Sequence, residues 1–216
     1  MRTGLAAILL LAPALAPAHR LDEYLQETLI SLGKERLQAQ IMLTPGVAVL
    51  PIVMAEIDAD GDGAVSDAEQ RAYARHVLRD LSLTIDGRPL APQLVSERFP
   101  AMDEMKEGMG AIRIEFQADL PHGGALRRLV FENRHQKRVG AYLVNCLVPV
   151  DPDIRVVGQQ RNYSQSVYTL EYRQRDARAE SMASGWWSDD RAWLAALALL
   201  LLARLAFLVG SRRLAA

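Results

Sequence analysis

Apolar and polar residues alternate with period two along two stretches near the start of the chain. Tyr24, Gln26, Thr28 and Ile30 fall on one side, and Leu25, Glu27, Leu29 and Ser31 on the other. Leu37, Ala39, Ile41 and Leu43 continue the alternation beyond Gly33 and Lys34. Successive side chains of a strand point to opposite faces, so the pattern predicts a hairpin whose turn contains the glycine. Thr44, Pro45 and Gly46 end it. A short apolar helix is then expected over 51–57, with Pro51 tolerated in its first turn. A second helix is expected over 67–81, where Tyr73, Val77, Leu78 and Leu81 form one stripe and Arg71, Arg75, Arg79 and Asp80 lie off it.

Strand signals return after these helices. Residues 81–85 are closed by Asp86 and Gly87, and 90–99 contain Pro92, which implies an edge strand or a bulge. A polar, methionine-containing loop at 103–109 precedes further strands at 111–120, 127–133, 139–148, 154–160 and 166–173. About eight or nine short strands with frequent turn signals define a mainly β chain, an antiparallel β-sandwich-like domain over 19–175. The helical segment at 48–81 is an insertion within it.

The two ends carry a different pattern. Residues 1–18 have the form of a signal peptide: Arg2 at the start, an apolar core from Leu5, and Ala16, Pro17 and Ala18 as a small-x-small cleavage site. Residues 176–190 read as a polar linker and 191–210 as one transmembrane helix. Its apolar run at 192–210 has nineteen residues, enough to span a bilayer. Trp186, Trp187 and Trp193 suit one interface, and Arg212 and Arg213, in a cytoplasmic tail at 211–216, suit the other. Arg204 lies within snorkelling reach of the interface. The expected location is the bacterial cytoplasmic membrane, single-pass, with the main domain in the periplasm.

Composition adds only bounds. A net charge of −1 over 216 residues gives no argument for nucleic acid or an acidic polymer as a partner, and none is expected. The run Arg127, Arg128, Arg134, Lys137 and Arg138 is read as a solvated face around a hairpin. The single cysteine, Cys146, is expected to be a small buried residue of a strand. No glycine-rich phosphate loop, serine-nucleophile elbow or His-x-x-x-His pair occurs, so the chain is read as a non-enzyme.

The chemistry lies between the two helices. Residues 58–69 read DADGDGAVSDAE, which fills the twelve-residue calcium loop of an EF-hand. Asp58, Asp60 and Asp62 occupy positions one, three and five, each able to turn a carboxylate inward. Gly63 sits at position six, where a sharp turn needs positive φ. Ala64 would give its backbone carbonyl, Ser66 would bind directly or through water, and Glu69 would close the site with both carboxylate oxygens. An all-oxygen, carboxylate-rich set favours calcium over magnesium. Ser66 and Glu69 also form a capping pair for the second helix. The segments at 103–114 and 151–162 lack the ligands of a second loop, so the hand resembles an EF-hand standing alone, and its calcium is expected to be structural.

A second metal hypothesis concerns His19. Cleavage after Ala18 would expose its α-amine and imidazole together, a pair suited to copper or nickel, with His76, His122 or His135 as a third nitrogen. The segments HRLDEYLQ at 19–26, FENRH at 131–135 and YLVN at 142–145 resemble a bacterial family of secreted, membrane-anchored proteins. That family is similar to the extracytoplasmic N-terminal domains of HupE/UreJ-type metal permeases. The chain departs from the permeases in having one expected membrane helix rather than several, so the resemblance implies an accessory role beside a transporter. The leading expectation is an anchored, extracytoplasmic calcium-binding protein with a membrane or periplasmic protein partner. The alternative is a periplasmic copper- or nickel-handling accessory protein that uses His19.

Overall fold

The computed structural model describes residues 22–175. The expected signal peptide, His19, the linker at 176–190, the transmembrane helix at 191–210 and the tail lie outside the described residues. Among the described residues no helix is long and apolar enough to cross a membrane.

The alternation that opens the chain produces strands β1 (Tyr24–Leu32) and β2 (Arg36–Pro45), paired antiparallel from Tyr24 opposite Pro45 to Leu32 opposite Leu37. Gly33 donates its amide to the Arg36 carbonyl at 2.9 Å and closes the turn. Helices α1 (Leu50–Ile57) and α2 (Asp67–Arg79) follow. Next come β3 (Leu81–Ile85), β4 (Arg88–Pro89), β5 (Gln93–Arg98), the short helix α3 (Met102–Lys106) and β6 (Ile112–Asp119). The remaining strands are β7 (Leu126–Asn133), β8 (Gly140–Cys146), β9 (Ile154–Arg161) and β10 (Val167–Gln174). Between β3 and β4, Asp86 and Gly87 have φ of 52° and 78°. Two consecutive positive values are what the tight type I′ hairpin turn requires, and an Asp-Gly pair supplies them cheaply.

These strands form two five-stranded sheets, ordered β5-β6-β2-β1-β8 and β4-β3-β7-β10-β9. Every pairing is antiparallel except one: β1 runs parallel to β8, with Tyr24 opposite Gly140. Both sheets turn one face into a single core. Ile30, Leu37, Ile41, Leu43, Ile114 and Phe116 enter it from the first sheet, and Leu83, Ile85, Leu129, Phe131, Leu170 and Tyr172 from the second. Each such side chain contributes roughly 1.5–3 kcal/mol by leaving water, which is why the period-two pattern survives along most strands.

Several sequence expectations need correcting in detail. The stretch 90–99 is not one strand: Pro92 falls in a break, and β5 beyond it is the edge strand, with an irregular register between Leu94 and Ser96. The polar loop at 103–109 overlaps α3, because Met105 is drawn fully into the core. The strands at 127–133 and 139–148 do not form a hairpin. The chain turns at Gln136, whose φ is 51°, and crosses to the other sheet, where the Val139 carbonyl accepts the Tyr24 amide at 2.7 Å. The basic run between them is not uniformly solvated either. Arg127 is only 2 % exposed, with its Nε donating to Asp86 and its Nη2 to the Pro121 carbonyl.

Candidate functional site

The loop at 58–69 is held from both sides by apolar anchors. Leu50, Val53 and Ile57 put one stripe of α1 into the core, and Tyr73, Ala74, Val77 and Leu78 do the same for α2. Both helices are therefore anchored in the core, and the loop between them faces solvent. α2 starts where the capping pair places it: the Ser66 oxygen accepts the Glu69 amide, and the Glu69 carboxylate accepts the Ser66 amide at 2.9 Å. That reciprocal box satisfies two backbone donors that the first helical turn would leave orphaned.

Inside the loop the carboxylates turn inward onto backbone amides. Asp58 accepts from Gly61 at 2.8 Å and from Gly63 at 3.0 Å, one bond to each oxygen. Asp60 accepts from Asp62, and Asp62 from Ala64 at 2.8 Å. Gly61 and Gly63 have φ of 72° and 82°, the left-handed conformation that lets the chain coil around a centre. Glu69 reaches back across the loop, its Oε1 accepting the Ala59 amide at 2.8 Å. The Ser66 amide and hydroxyl, then the Ala59 and Asp60 amides, hold the Glu69 carboxyl below its ordinary range. Asp58, Asp60 and Glu69 each bring an oxygen within 4.8 Å of the others, so these three expected ligands converge. Asp62 stands outside that group, its oxygen turned to Ala64. The donor set is entirely oxygen, which fits a hard dication of the calcium type.

A second cluster lies beside the α1–α2 segment; from the sequence, only its histidines His76 and His135 stand out, as candidate third nitrogens beside His19. His135 is fully buried. Its Nδ1 lies 2.8 Å from Asp80 Oδ2 and its Nε2 3.1 Å from the Tyr73 hydroxyl, which in turn meets the Tyr24 hydroxyl at 2.7 Å. A carboxylate can only accept, so the proton belongs on Nδ1, Tyr73 donates to Nε2, and Tyr24 donates to Tyr73. Burial lowers the His135 pKa against the opposing pull of Asp80, which favours this neutral ring. Burial likewise raises both phenols well above their usual value, so they remain donors. The backbone around His135 is equally occupied. Its amide donates to Asn133, and its carbonyl accepts from Gln26 at 3.0 Å and from the Tyr142 hydroxyl at 2.7 Å. Gln26 and Asn133 bond to each other at 2.8 Å. Thus polar residues from β1, α2, β7 and β8 fasten the α1–α2 segment to the β-domain.

Further contacts reinforce that junction. Arg71 of α2 pairs with Glu97 of β5 at 3.2 Å, Gln136 donates to Glu56 of α1, and the Tyr73 ring meets Phe99 edge-on. Of the histidines proposed beside His19, His76 and His135 come together with ring centroids 5.7 Å apart. His122 lines a different cleft, with Asp86, Arg88 and Arg127. Cys146 is half-buried, and burial pushes its thiol up to about 11. No known protein family, characterised protein or solved structure matches the chain.

Proposed function

We propose that this chain is a membrane-anchored, extracytoplasmic calcium-binding protein of non-enzymatic role, in which one EF-hand-like loop carries a structural ion. The observation that carries the reading is the convergence of Asp58, Asp60 and Glu69 within 4.8 Å, in a loop coiled by two positive-φ glycines. Asp62, the Ala64 carbonyl and Ser66 complete the ligand set as the ion draws the loop inward. The anchored form rests on the apolar run at 192–210 and the basic residues after it.

Sensor hands work in pairs and open to expose a groove. Here a single hand is pinned by Tyr73, Arg71 and Gln136 to β-strands, which favours an ion that stiffens the junction. Extracellular modules commonly bind at roughly 10⁻⁴ to 10⁻³ M. With free calcium at about 100 times the dissociation constant, binding adds roughly 2.7 kcal/mol.

Calorimetric titration of the full chain in detergent, with melting curves in calcium and in chelator, tests this reading. One calcium per chain and a higher midpoint are expected, both lost in Glu69→Gln. An unchanged midpoint would remove the structural role, and no calcium uptake at millimolar concentration would remove the reading. Orientation is tested separately in a Cys146→Ser background. A membrane-impermeant thiol reagent on intact cells should label a cysteine at Asp103, which is 94 % exposed, and not one at Ser211.

A further inference from the structure

We infer that His76, Asp80 and His135 form a second metal site, distinct from the calcium loop, that takes a divalent first-row transition ion of the zinc type. This inference does not depend on calcium binding.

Three side chains offer one ligand atom each within 4.8 Å of the others. Asp80 Oδ2 lies 2.8 Å from His135 Nδ1 and 3.6 Å from His76 Nε2. Ligands about 2.0–2.2 Å from a tetrahedral zinc stand roughly 3.4 Å from one another, so both distances to Asp80 lie within about 0.6 Å of that spacing. His76 and Asp80 share one face of the last turn of α2 by their four-residue spacing. His135 arrives from the segment after β7, held against that turn by the Arg134 amide on the Asp80 carbonyl at 3.0 Å. Two nitrogens and one carboxylate suit zinc, nickel or copper and are a poor set for calcium.

A buried histidine satisfied by a carboxylate would need no second imidazole. Here His76 is brought edge-on to His135 and aimed at the same carboxylate oxygen. The outer shell is already built. Tyr73 fixes one nitrogen of His135, while Gln26, Asn133 and Tyr142 fix its backbone, as metal-binding histidines require. The site is closed on one side and open on the other, with side-chain exposures of 1 %, 34 % and 44 % for His135, Asp80 and His76. His76 also lines a cleft of about 340 Å³ with Tyr73, Arg79, Glu56 and Glu69, so this ligand is reached from solvent.

Coordination through His135 Nδ1 moves that ring's proton to Nε2, where it is donated to Tyr73; Tyr73 then donates to Tyr24, whose own hydroxyl hydrogen gives up its acceptor. Coordination through His76 Nε2 places a proton on Nδ1, the nitrogen that without the ion accepts from Arg79 at 3.2 Å. The exposed Arg79 must therefore swing away. Its removal should tighten binding, because it both competes for Nδ1 and adds positive charge beside the ion.

The test is zinc chloride titrated into the calcium-saturated full chain in detergent against a chromophoric chelator, with cobalt(II) absorption reporting nitrogen ligands. One zinc per chain is expected. His76→Ala should weaken it by more than the roughly 10–100-fold cost of outer-shell changes, and Tyr73→Phe by about 10-fold. Arg79→Ala should tighten it, and Glu69→Gln should leave it unchanged. His76 is partly exposed, so its variant keeps the fold, which the zinc-free melting midpoint verifies. Zinc bound equally by the wild type and His76→Ala, or no zinc bound at micromolar concentration, would overturn the proposal.

Discussion

The Tyr73 hydroxyl is a single oxygen on which the docking of the α1–α2 segment depends, and Tyr73→Phe isolates it. The ring and its burial are kept, so no transfer energy is lost. The Tyr24 hydroxyl at 2.7 Å and His135 Nε2 at 3.1 Å both lose the partner they share. Tyr24 and His135 are fully buried, so water cannot replace that oxygen without rearrangement. Each stranded polar group costs about 1–3 kcal/mol, so the two together give a predicted loss of about 2–6 kcal/mol. Against a total stability of about 5–15 kcal/mol, that is a large fraction. Tyr142→Phe is the internal control. Its hydroxyl donates to the His135 carbonyl, which keeps the Gln26 bond, so no acceptor is stranded and the loss should be about 0.5–1.5 kcal/mol. Urea unfolding of the full chain followed by far-ultraviolet circular dichroism measures both. Equal losses in the two variants, or less than about 1 kcal/mol for Tyr73→Phe, would refute the network as the fastening of that segment.

Asp86→Asn should destabilise the domain by about 3 kcal/mol in the same assay, because it leaves the buried Arg127 guanidinium without its counter-charge, and adding Arg127→Met should restore most of the loss. The Cys146 thiol, pushed up to about 11 by burial, should react with iodoacetamide far more slowly than a free thiol at pH 8 and accelerate as pH rises toward 11; mass spectrometry follows it cleanly because the chain has one cysteine.

Local features of this fold are readable from local sequence. The β1–β2 hairpin follows from alternation and Gly33, the β3–β4 turn from Asp86 and Gly87, and the loop at 58–69 from its own spacing. Even the buried Gln26 and Thr28 lie on the side that alternation assigned them, opposite Leu25 and Leu29. What periodicity cannot carry is the choice of neighbour. Residues 127–133 and 139–148 have the same alternation whether they pair with each other or part to separate sheets. Arg127 reads as a surface charge until Asp86, distant in sequence, is placed against it. The network of Gln26, Tyr73, Asp80, Asn133, His135 and Tyr142 was invisible for the same reason, since each polar residue alone looks solvent-facing. A hint did exist: Tyr24, Gln26 and Thr28 bring polar groups to a buried face, and such groups need buried partners.

The parallel pairing of β1 with β8 imposes an order on the birth of the fold. Tyr24 finds its neighbour Gly140 only 116 positions later. One edge of β1 takes up β2 at once, but the other remains a row of unmatched amides and carbonyls until Cys146 has been made. Such non-local closure is slow, and an open strand edge invites pairing with other chains. A chain cut short before residue 146 would therefore keep its hairpin and its loop at 58–69 yet remain adhesive to its own kind. For this protein, the most hazardous interval is the one before its eighth strand arrives.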